Sequence, residues 1–404
     1  MKSLSFGDTP NIIKLDKQLA TQPEEVIFCK RCVISNQRFR IQIGEDGVCS
    51  ACKFRIYEQT QVNWVDRAKE LEDLAGSLRW RKGIHAIVAV SGGKDSSWIA
   101  HTLKHELGLN ILCVCFAPFM RTEIGQQNYD AFIDSGYRVL EGHPNGRFHR
   151  RLARLCFDSL GDAWQPFGMA QMAYPHWVAL QLGVPAIFYA ENGEGAYTGD
   201  IDVFNLRGMP SSEWATRYHK GMTIDDLVTF GLNEQRRYFS DTEFNVSDLE
   251  WYRPPSEDAL RKAGTQMYWL GYFKQNDPME NYYAATRNTG FKPNPERSEG
   301  SYTKYASLDD KTDGFHFFLG YIKMGLGRAT SDAAHEVRDG QLTREEGIAL
   351  VKRYDGEFPK RYFRGFLDYL DISEAHFWDV IDQWRAPHLW TQGPNGWELK
   401  HQVS

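Results

Sequence analysis

The stretch Ala86-Ile-Val-Ala-Val-Ser91-Gly92-Gly93-Lys94-Asp95-Ser96-Ser97-Trp98-Ile99-Ala100 decides the fold of the central part of the chain. Its first five residues form a continuous apolar run, which is typical of a strand covered on both faces. The two glycines permit a tight turn, and Ser96 or Ser97 can cap a following helix. Such a turn directs backbone N–H groups and the positive end of a helix toward one point, which suits phosphate. The stretch therefore predicts a strand, an anion-binding turn and a helix.

Further apolar segments after this stretch alternate with helical ones. Strands are expected at residues 109–116, 137–140, 185–190 and 266–273, and helices at 123–135, 147–160 and 174–182. This alternation predicts an α/β fold with a doubly wound parallel sheet. Ligands of such sheets bind beyond the carboxyl ends of the strands. Both the 91–96 loop and the loop Glu191-Asn192-Gly-Glu-Gly195 are expected at that edge.

Four of the seven cysteines form two closely spaced pairs. Cys29-Lys-Arg-Cys32 and Cys49-Ser-Ala-Cys52 give a CxxC–x16–CxxC pattern. Two such pairs converge readily into a tetrahedral zinc site, and four protein ligands predict a structural role for the metal. An iron–sulfur cluster or a redox pair is the alternative. Between the pairs, residues 44–47 are expected to form a hairpin turn and residues 37–43 one of its strands.

Composition limits the classes of function. The formal net charge of -6 over 404 residues gives no global basic field that would attract nucleic acid. No apolar run approaches the roughly 20 residues of a membrane span. The N-terminus has no hydrophobic signal region. We therefore expect a cytoplasmic protein with no membrane span and no nucleic-acid partner.

The patterns divide the chain into five segments. A polar extension is expected at residues 1–25, a zinc ribbon at 26–60, a linker helix at 61–84, the α/β domain at 85–275 with a helical insertion at about 200–255, and a mainly helical C-terminal region at 276–404. The linker helix is predicted from apolar residues that recur at spacings of three and four: Trp64, Ala68, Leu71, Ala75 and Leu78. In the C-terminal region, Thr343-Arg-Glu-Glu346 predicts a capping box, and Ser373 predicts a helix cap.

The central turn resembles a known phosphate-binding motif. Its spacing is not that of a Walker loop, which requires Gly-x-x-x-x-Gly-Lys-Ser/Thr. Ser91-Gly-Gly-Lys-Asp-Ser96 resembles instead the PP-loop of ATP pyrophosphatases, which split ATP into AMP and pyrophosphate. The resemblance implies a sheet of the adenine nucleotide alpha hydrolase-like type.

Four blocks of sequence are similar to the bacterial N-acetyl sugar amidotransferase family, whose members act in lipopolysaccharide O-antigen and nonulosonic-acid biosynthesis. They are the two cysteine pairs; the 91–96 loop; Gly161-Asp162-Ala-Trp164-Gln-Pro166-Phe167 with Glu191-Asn192; and Glu299-Gly-Ser-Tyr302-Thr303, Leu308-Asp309-Asp310-Lys311 and Lys323-Met-Gly-Leu-Gly-Arg328-Ala-Thr330. The resemblance covers residues 27–371 and implies conversion of a sugar acetamido group into an acetamidino group.

The implied reaction depends on ATP. The acetamido oxygen would attack the α-phosphate, giving an O-adenylyl imidate and pyrophosphate, and ammonia would then displace AMP. The chain has no glutaminase signature, so the resemblance implies ammonia from a separate glutaminase paired with a synthase-like subunit. The implied substrate is an acetamido nucleotide sugar or a nonulosonic acid, between which the sequence does not choose.

The resemblance also implies roles for individual residues. The phosphates of ATP would be bound by Ser91, Gly92, Gly93, Lys94 and Ser96. Asp95 would orient the loop or bind Mg²⁺. Glu191 and Asn192 are candidates for contacting the sugar amide or the metal. Lys323 and Arg328 are candidates for steadying phosphate or a nucleotide-sugar diphosphate. His316 is a candidate for proton transfer near neutral pH.

Two other interpretations stay open. PP-loop enzymes that thiolate tRNA also join such loops to zinc ribbons, but they usually need a catalytic cysteine or a cluster. The spare thiols are Cys113, Cys115 and Cys156. The first two lie two residues apart on a predicted strand and are most simply core residues. The third interpretation is a non-enzymatic subunit that only senses ATP.

Overall fold

A five-stranded parallel sheet forms the centre of the molecule. The computed structural model describes residues 12–190, 193–233, 238–240, 242, 244–306, 308–394 and 396–404. The strands of this sheet are β1 (Ala86–Ala89), β2 (Ile111–Phe116), β3 (Val139–Gly142), β4 (Ala186–Tyr189) and β5 (Gln266–Trp269). Their order is β3-β2-β1-β4-β5, and every neighbouring pair is parallel. The α/β fold with a parallel sheet is therefore confirmed.

The strand order changes direction at β1. The chain moves outward from β1 to β2 and β3 on one side, and then crosses to β4 and β5 on the other. In open sheets of this kind, ligands bind in the crevice at such a reversal, beyond the carboxyl ends of the strands. The 91–96 loop follows β1 directly, so it lies at the reversal.

Helices cover both faces of the sheet, because successive residues of a strand point to opposite sides. Ile87 of β1 packs in one cluster with Val114, whereas the next residue, Val88, packs in another with Cys113. Cys113 and Cys115 are fully buried, as expected. The first six helices are α1 (Ser50–Thr60), α2 (Trp64–Arg79), α3 (Lys94–His101), α4 (Glu123–Asp134), α5 (Gly146–Leu160) and α6 (Gln165–Leu182).

Helix α3 begins at Lys94. A cap at Ser96 or Ser97 would place the start of the helix after that serine, so the helix begins earlier than predicted. Gly93 is the N-cap, and the hydroxyls of Ser96 and Ser97 donate to its carbonyl oxygen at 3.0 and 2.9 Å. The prediction that one of these serines caps the helix is therefore wrong, because the chain already turns into the helix at the glycines. The amphipathic spacing that predicts the preceding helix is confirmed, since α2 covers those positions.

The cysteine segment, residues 26–60, contains less regular pairing than expected. Residues 44–47 form the predicted turn. Residues 37–43 do not form a strand, and their β pairing is limited to one isolated bridge at Ile43. Arg40 has a φ of 67°, a left-handed conformation that interrupts an extended chain.

The sequence predicts a polar extension over residues 1–25. The part of this segment that the structure describes packs against the rest of the molecule. Ile12 N–H donates to Oε1 of Gln383 at 2.9 Å, and Leu15 N–H donates to the carbonyl oxygen of Ser159 at 2.7 Å. From residue 12 onward the segment is therefore part of the folded body. The first eleven residues lie outside the described ranges.

Short helices occupy the expected insertion after β4 and the approach to β5. They are α7 (Trp214–Arg217), α8 (Ile224–Gly231), α9 (Val246–Glu250) and α10 (Glu257–Ala263). The strand predicted at 266–273 ends at Trp269, and the chain continues as α11 (Leu270–Phe273).

The C-terminal region is mainly helical, as expected. Its helices are α12 (Pro278–Thr289), α13 (Asp313–Met324), α14 (Arg328–Asp339), α15 (Arg344–Tyr354), α16 (Phe363–Leu370) and α17 (Glu374–Trp384). The capping box at Thr343 and the cap at Ser373 are confirmed. A short antiparallel hairpin of β6 (Trp390–Gly393) and β7 (Gly396–Leu399) follows, which the sequence analysis does not predict. Within the described ranges, every helix is too short or too polar to cross a membrane.

Candidate functional site

The 91–96 loop has the backbone shape that an anion site needs. Gly92 has a φ of 90°, and a Cβ atom there would lie 3.1 Å from the Cα of Tyr129. A side chain at this position would be strained and crowded. Gly93 caps helix α3 without a side-chain hydrogen bond, so no side chain at the cap satisfies the N–H groups of the first turn. These donors are therefore able to bind an anion such as phosphate.

Asp309 lies directly beside this loop. A Cβ atom at Gly93 would come within 3.3 Å of Oδ2 of Asp309, and Ser91 forms a hydrogen bond with the same carboxyl group. Burial raises the pKa of Asp309 to about 6, and the hydrogen bond to Ser91 opposes the rise. Sequence analysis places Asp309 in a block of resemblance without a role. The pair of adjacent acidic residues in that block is the signal that points to it.

Lys94 and Asp95 open helix α3 and line a large cavity. Nζ of Lys94 donates to both carboxylate oxygens of Asp95 at 2.7 Å, and Nδ2 of Asn281 donates to Oδ1 of Asp95 at 2.9 Å. The lysine charge is thus satisfied by its own neighbour. A phosphate would compete with Asp95 for Lys94, and a divalent cation would compete with Lys94 for Asp95.

The cavity has a volume of about 540 Å³ and is lined by several parts of the chain: the cysteine segment, the loop after β4, and helices α13 and α14. Its charged lining residues are Arg38, Arg40, Lys94, Asp95, Asp162, Glu194, Arg217, Lys220, Lys323, Arg328, Asp332, Glu336 and Asp339. Its aromatic lining residues are Phe39, Trp164, Tyr197, Tyr218, Tyr305 and Phe317. Mixed charges beside aromatic rings suit a ligand that carries both phosphates and polar rings.

Asp162 is the centre of a hydrogen-bonded group in this cavity. Both of its oxygens lie 2.9 Å from Nδ1 of His316, and Nζ of Lys220 donates to Oδ2 at 2.7 Å. The backbone N–H of Trp164 adds a donor at 3.1 Å. Burial alone would raise the pKa of Asp162, but the charges and hydrogen bonds of His316 and Lys220 outweigh it and hold the pKa well below its usual range. Asp162 is therefore ionised at neutral pH and orients the His316 ring.

Lys323 and Arg328 line the same cavity, and both are paired. Lys323 forms a buried ion pair with Asp16. Burial lowers the pKa of Lys323, and the charge of Asp16 opposes this change. Nε of Arg328 donates to Oδ1 of Asp332 at 2.9 Å, and its guanidinium lies 4.5 Å from the centre of the Phe317 ring. The side chain of Arg328 is 23% exposed and that of Lys323 is 4% exposed, so Arg328 is the better placed to contact a ligand.

Glu191 and Asn192 lie outside the described residues. Their neighbour Glu194 is in the cavity wall, where Nε and Nη2 of Arg40 donate to its carboxylate at 2.6 and 2.7 Å. The cysteine segment therefore supplies part of the wall. Sequence analysis misses this contribution because it predicts a strand where residues 38–40 form turns.

Helix α14 presents a polar face to the cavity. Its lining residues recur at spacings of three and four: Arg328, Ser331, Asp332, His335, Glu336 and Asp339. The spacing is visible in the sequence. By itself it does not indicate a cavity wall, because a polar helical face is normally solvated.

The four paired cysteines converge on one point. Their sulfur atoms lie within 4.8 Å of one another, and all four residues are fully buried. Sγ of Cys29 is 3.9 Å from Sγ of Cys52, and Sγ of Cys32 is 3.7 Å from Sγ of Cys49. Sulfur ligands of a tetrahedral zinc ion are about 3.8 Å apart. The donor set therefore fits a metal such as zinc, and its packing against helices α14 and α15 suits a structural role.

The remaining thiols are placed differently. Cys113, Cys115 and Cys156 are fully buried in the core, and the cavity is lined by other residues. Burial raises the pKa of each thiol above its ordinary value. Thiols in such surroundings are poor nucleophiles, because the reactive form is the thiolate.

Residues 299–403 match the family described as LPS biosynthesis protein WbpG-like, C-terminal domain. A comparison with curated proteins gives no match. The matched part includes helices α13 and α14, which form one wall of the cavity. The match supports a protein of lipopolysaccharide O-antigen biosynthesis, and a biosynthetic family of this kind suggests an enzyme.

Proposed function

We propose that the chain is an ATP-dependent N-acetyl sugar amidotransferase that acts in the synthesis of a bacterial surface polysaccharide. One observation carries the proposal: a single cavity joins the Lys94 end of the anion-binding loop to His316 and Arg328. A nucleotide bound at the PP-loop and a sugar bound farther along the cavity would then be in contact. The match of the C-terminal part to a lipopolysaccharide family supports the choice of pathway.

The chemistry explains why ATP is needed. An amide carbon is a weak electrophile, and the amide oxygen is a poor leaving group. When this oxygen attacks the α-phosphorus of ATP, an O–P bond forms, pyrophosphate leaves and an O-adenylyl imidate results. Ammonia adds to the activated carbon, a proton is lost, and AMP leaves with the former amide oxygen. The products are the amidine, AMP and pyrophosphate.

The loop residues stabilise the departing pyrophosphate. Ser91, Gly92, Gly93 and Ser96 offer N–H and O–H donors, and Lys94 offers a positive charge. Asp95 and Asp309 are the carboxyl groups at the loop that would hold Mg²⁺, since carboxylate oxygens are its preferred protein ligands. When bound, the ion neutralises charge on the phosphates.

His316 takes the proton that the attacking ammonia loses. Its Nδ1 is engaged by ionised Asp162, so Nε2 is the nitrogen left to accept a proton. Arg328 steadies the phosphates of the sugar nucleotide, for which its planar guanidinium is suited. Ammonia comes from a separate glutaminase with a synthase-like subunit. The thiols of this chain outside the cysteine pairs lie in the core and away from the cavity, so none of them is placed to act as the nucleophile of a glutaminase.

The test uses the purified chain with ATP, Mg²⁺, ammonium chloride and a panel of acetamido nucleotide sugars and nonulosonic acids. AMP and pyrophosphate are expected to form with one of these sugars, and the product should be about one mass unit lighter, as oxygen is replaced by NH. Absence of such a product with every acetamido sugar would contradict the proposal. Product formation with glutamine as the sole nitrogen donor would contradict the need for a partner.

A further inference from the structure

One wall of the main cavity is basic. It is formed by Arg38 and Arg40 of the cysteine segment and by Arg217 and Lys220 of the insertion after β4. Nη2 of Arg40 donates to the carbonyl oxygen of Arg217 at 2.7 Å, so the two segments are in contact. We call these four residues the basic wall. They come from other parts of the chain than the 91–96 loop and helix α14, which carry the groups already assigned to phosphates.

Three of the four charges in the basic wall are balanced by carboxylates of the chain. The ion pairs are Arg40 with Glu194, Arg217 with Asp200, and Lys220 with Asp162. Because each of these cations already has a counter-charge, none of them needs an anion from outside to be stable in the wall. The balance therefore leaves Arg38 as the cation to be accounted for.

Arg38 lacks a comparable partner among the described residues. Its guanidinium has one hydrogen bond there, a long one of 3.4 Å from Nη1 to Oγ of Ser331. The charge of Glu194 acts on Arg38, but the Glu194 carboxylate is held by Nε and Nη2 of Arg40 at 2.6 and 2.7 Å. Charged groups inside proteins are normally paired. The arrangement thus leaves room for a negatively charged group of a ligand.

The surroundings of Arg38 keep it charged and suited to such a group. Burial lowers the pKa of Arg38 to about 10, which still leaves the guanidinium protonated at neutral pH. The guanidinium lies over the ring of Tyr197, 5.1 Å from the ring centre. Stacking uses the face of a guanidinium and leaves the N–H groups along its edge for hydrogen bonds. Two parallel N–H groups can then hold two oxygens of a carboxylate or a phosphate.

The backbone of the basic wall is unusual at two places. Arg40 has a φ of 67° and Lys220 a φ of 57°, and within the described ranges the other non-glycine residue with a positive φ is Asp371, which does not line the cavity. A left-handed backbone is unfavourable for a residue with a Cβ atom, and it concentrates at sites that bind ligands. The backbone therefore supports a binding role for this wall independently of its charges.

We propose that Arg38 holds an oxyanion group of the sugar substrate, at a subsite separate from the PP-loop. The proposal rests on the proposed function, since it names a contact of that same substrate. The chemistry recognised is a pair of oxygens that share a negative charge, either a carboxylate on the sugar or a phosphate of the sugar nucleotide. Because Arg38 belongs to the cysteine segment, this segment takes part in choosing the substrate.

Three variants test the role of Arg38. Arg38→Gln removes the charge and keeps a polar side chain. Arg38→Lys keeps the charge and loses the planar pair of donors. Arg364→Gln is the matched control, because the side chain of Arg364 is 88% exposed and does not line the cavity. Thermal unfolding of each variant shows whether it is folded.

The readout is AMP formation with ammonium chloride and the acetamido sugar that the unaltered protein accepts. Arg38→Gln is expected to raise the KM for the sugar about tenfold or more and to leave the KM for ATP unchanged. Arg38→Lys is expected to raise the KM for the sugar about threefold or more, since a point charge replaces the fork. Arg364→Gln is expected to match the unaltered protein for both substrates.

A second comparison identifies the group that Arg38 holds. The accepted sugar and a form of it without a carboxylate are compared as competitors in the unaltered protein and in Arg38→Gln. If the difference between the two proteins disappears with the form that lacks the carboxylate, the group is the carboxylate. If the difference persists, or if the accepted sugar itself has no carboxylate, the group is a phosphate.

The outcomes separate the subsite from the proposed function. If no acetamido sugar gives a product with the unaltered protein, the proposed function fails and the subsite fails with it. If a product forms and every folded Arg38 variant keeps the KM for the sugar, the subsite alone is overturned. An equal rise in the KM for ATP and for the sugar would also overturn it, because Arg38 would then support the cavity as a whole.

Discussion

Nδ1 of His316 lies 2.9 Å from both carboxylate oxygens of Asp162, although 154 positions separate the two residues in the chain. The contact joins helix α13 of the C-terminal region to the turn between α5 and α6. Lys220, which belongs to the insertion after β4, donates to the same carboxylate. Three distant parts of the chain therefore meet at one ionised group inside the cavity.

His316→Gln is expected to lower amidine formation by about 10²–10⁴-fold, the usual contribution of a general base. Adenylation, measured as pyrophosphate exchange, should change little, because the histidine acts on the proton of ammonia. His376→Gln is a matched control: its Nε2 lies 2.8 Å from Oδ1 of Asp158, and neither residue lines the cavity. If both variants lost amidine formation to the same extent, His316 would not be the general base.

Gly92→Ala is expected to abolish the exchange of pyrophosphate into ATP and to lower the free energy of unfolding. A Cβ at this position carries the strain of a φ of 90° and also approaches the backbone of Tyr129. Gly83→Ala is the control, since Gly83 has a φ of 91° and no atom within 4 Å of an added Cβ. Both variants should lose about 1 kcal/mol from backbone strain. Denaturant unfolding and exchange assays should show the further loss of stability and the loss of exchange only for Gly92→Ala.

The pKa of Asp309, raised to about 6, predicts a pH-dependent cost to stability. The folded state disfavours the ionised form, so the free energy of unfolding should fall as the pH rises from the ordinary aspartate range through about 6. Asp309→Asn removes this dependence. Its stability relative to the unaltered protein should improve by about 1 kcal/mol between pH 5 and pH 7.

Urea unfolding of both proteins at the two pH values measures this difference. Asp355, whose pKa is also raised to about 6, is present in both proteins and cancels in the comparison. A difference that stays constant with pH would show that Asp309 is already ionised in the folded protein near pH 5.

The purified protein is expected to contain one zinc ion per chain, measured by elemental mass spectrometry. Cys32→Ser should lose the metal and unfold at a lower temperature, because the cysteine cluster packs against α14 and α15. Cys156→Ala is the control: it removes a buried thiol elsewhere in the core and should keep the metal. If the protein contained iron in place of zinc and showed the visible absorption of a cluster, the cysteines would hold an iron–sulfur cluster instead.

The local patterns of the sequence predicted the sheet well, and the cavity only in part. Apolar runs such as that at Ile87 and Val88 identify buried strands, because each strand is covered on both faces. The resemblance indicates Arg328 as a site residue, and it includes Asp162 in a matching block without a role. Arg40 and Lys220 reach the cavity from turns and an insertion, where periodicity carries no signal. Ser96 and Ser97 misled the prediction of the cap, since serines favour both caps and first-turn positions that bond back to the backbone.

The hydrogen bond between Ile12 and Gln383 spans 371 positions of the chain. A ribosome makes the N-terminal segment first, yet the helix that receives it, α17, is among the last parts to be made. The contact of Ile12 can therefore form only when nearly the whole chain has emerged, whereas the contact of Leu15 with Ser159 can form earlier. Contacts of large sequence separation form slowly. Tags or fusion partners placed close to Ile12 would interfere with this late docking.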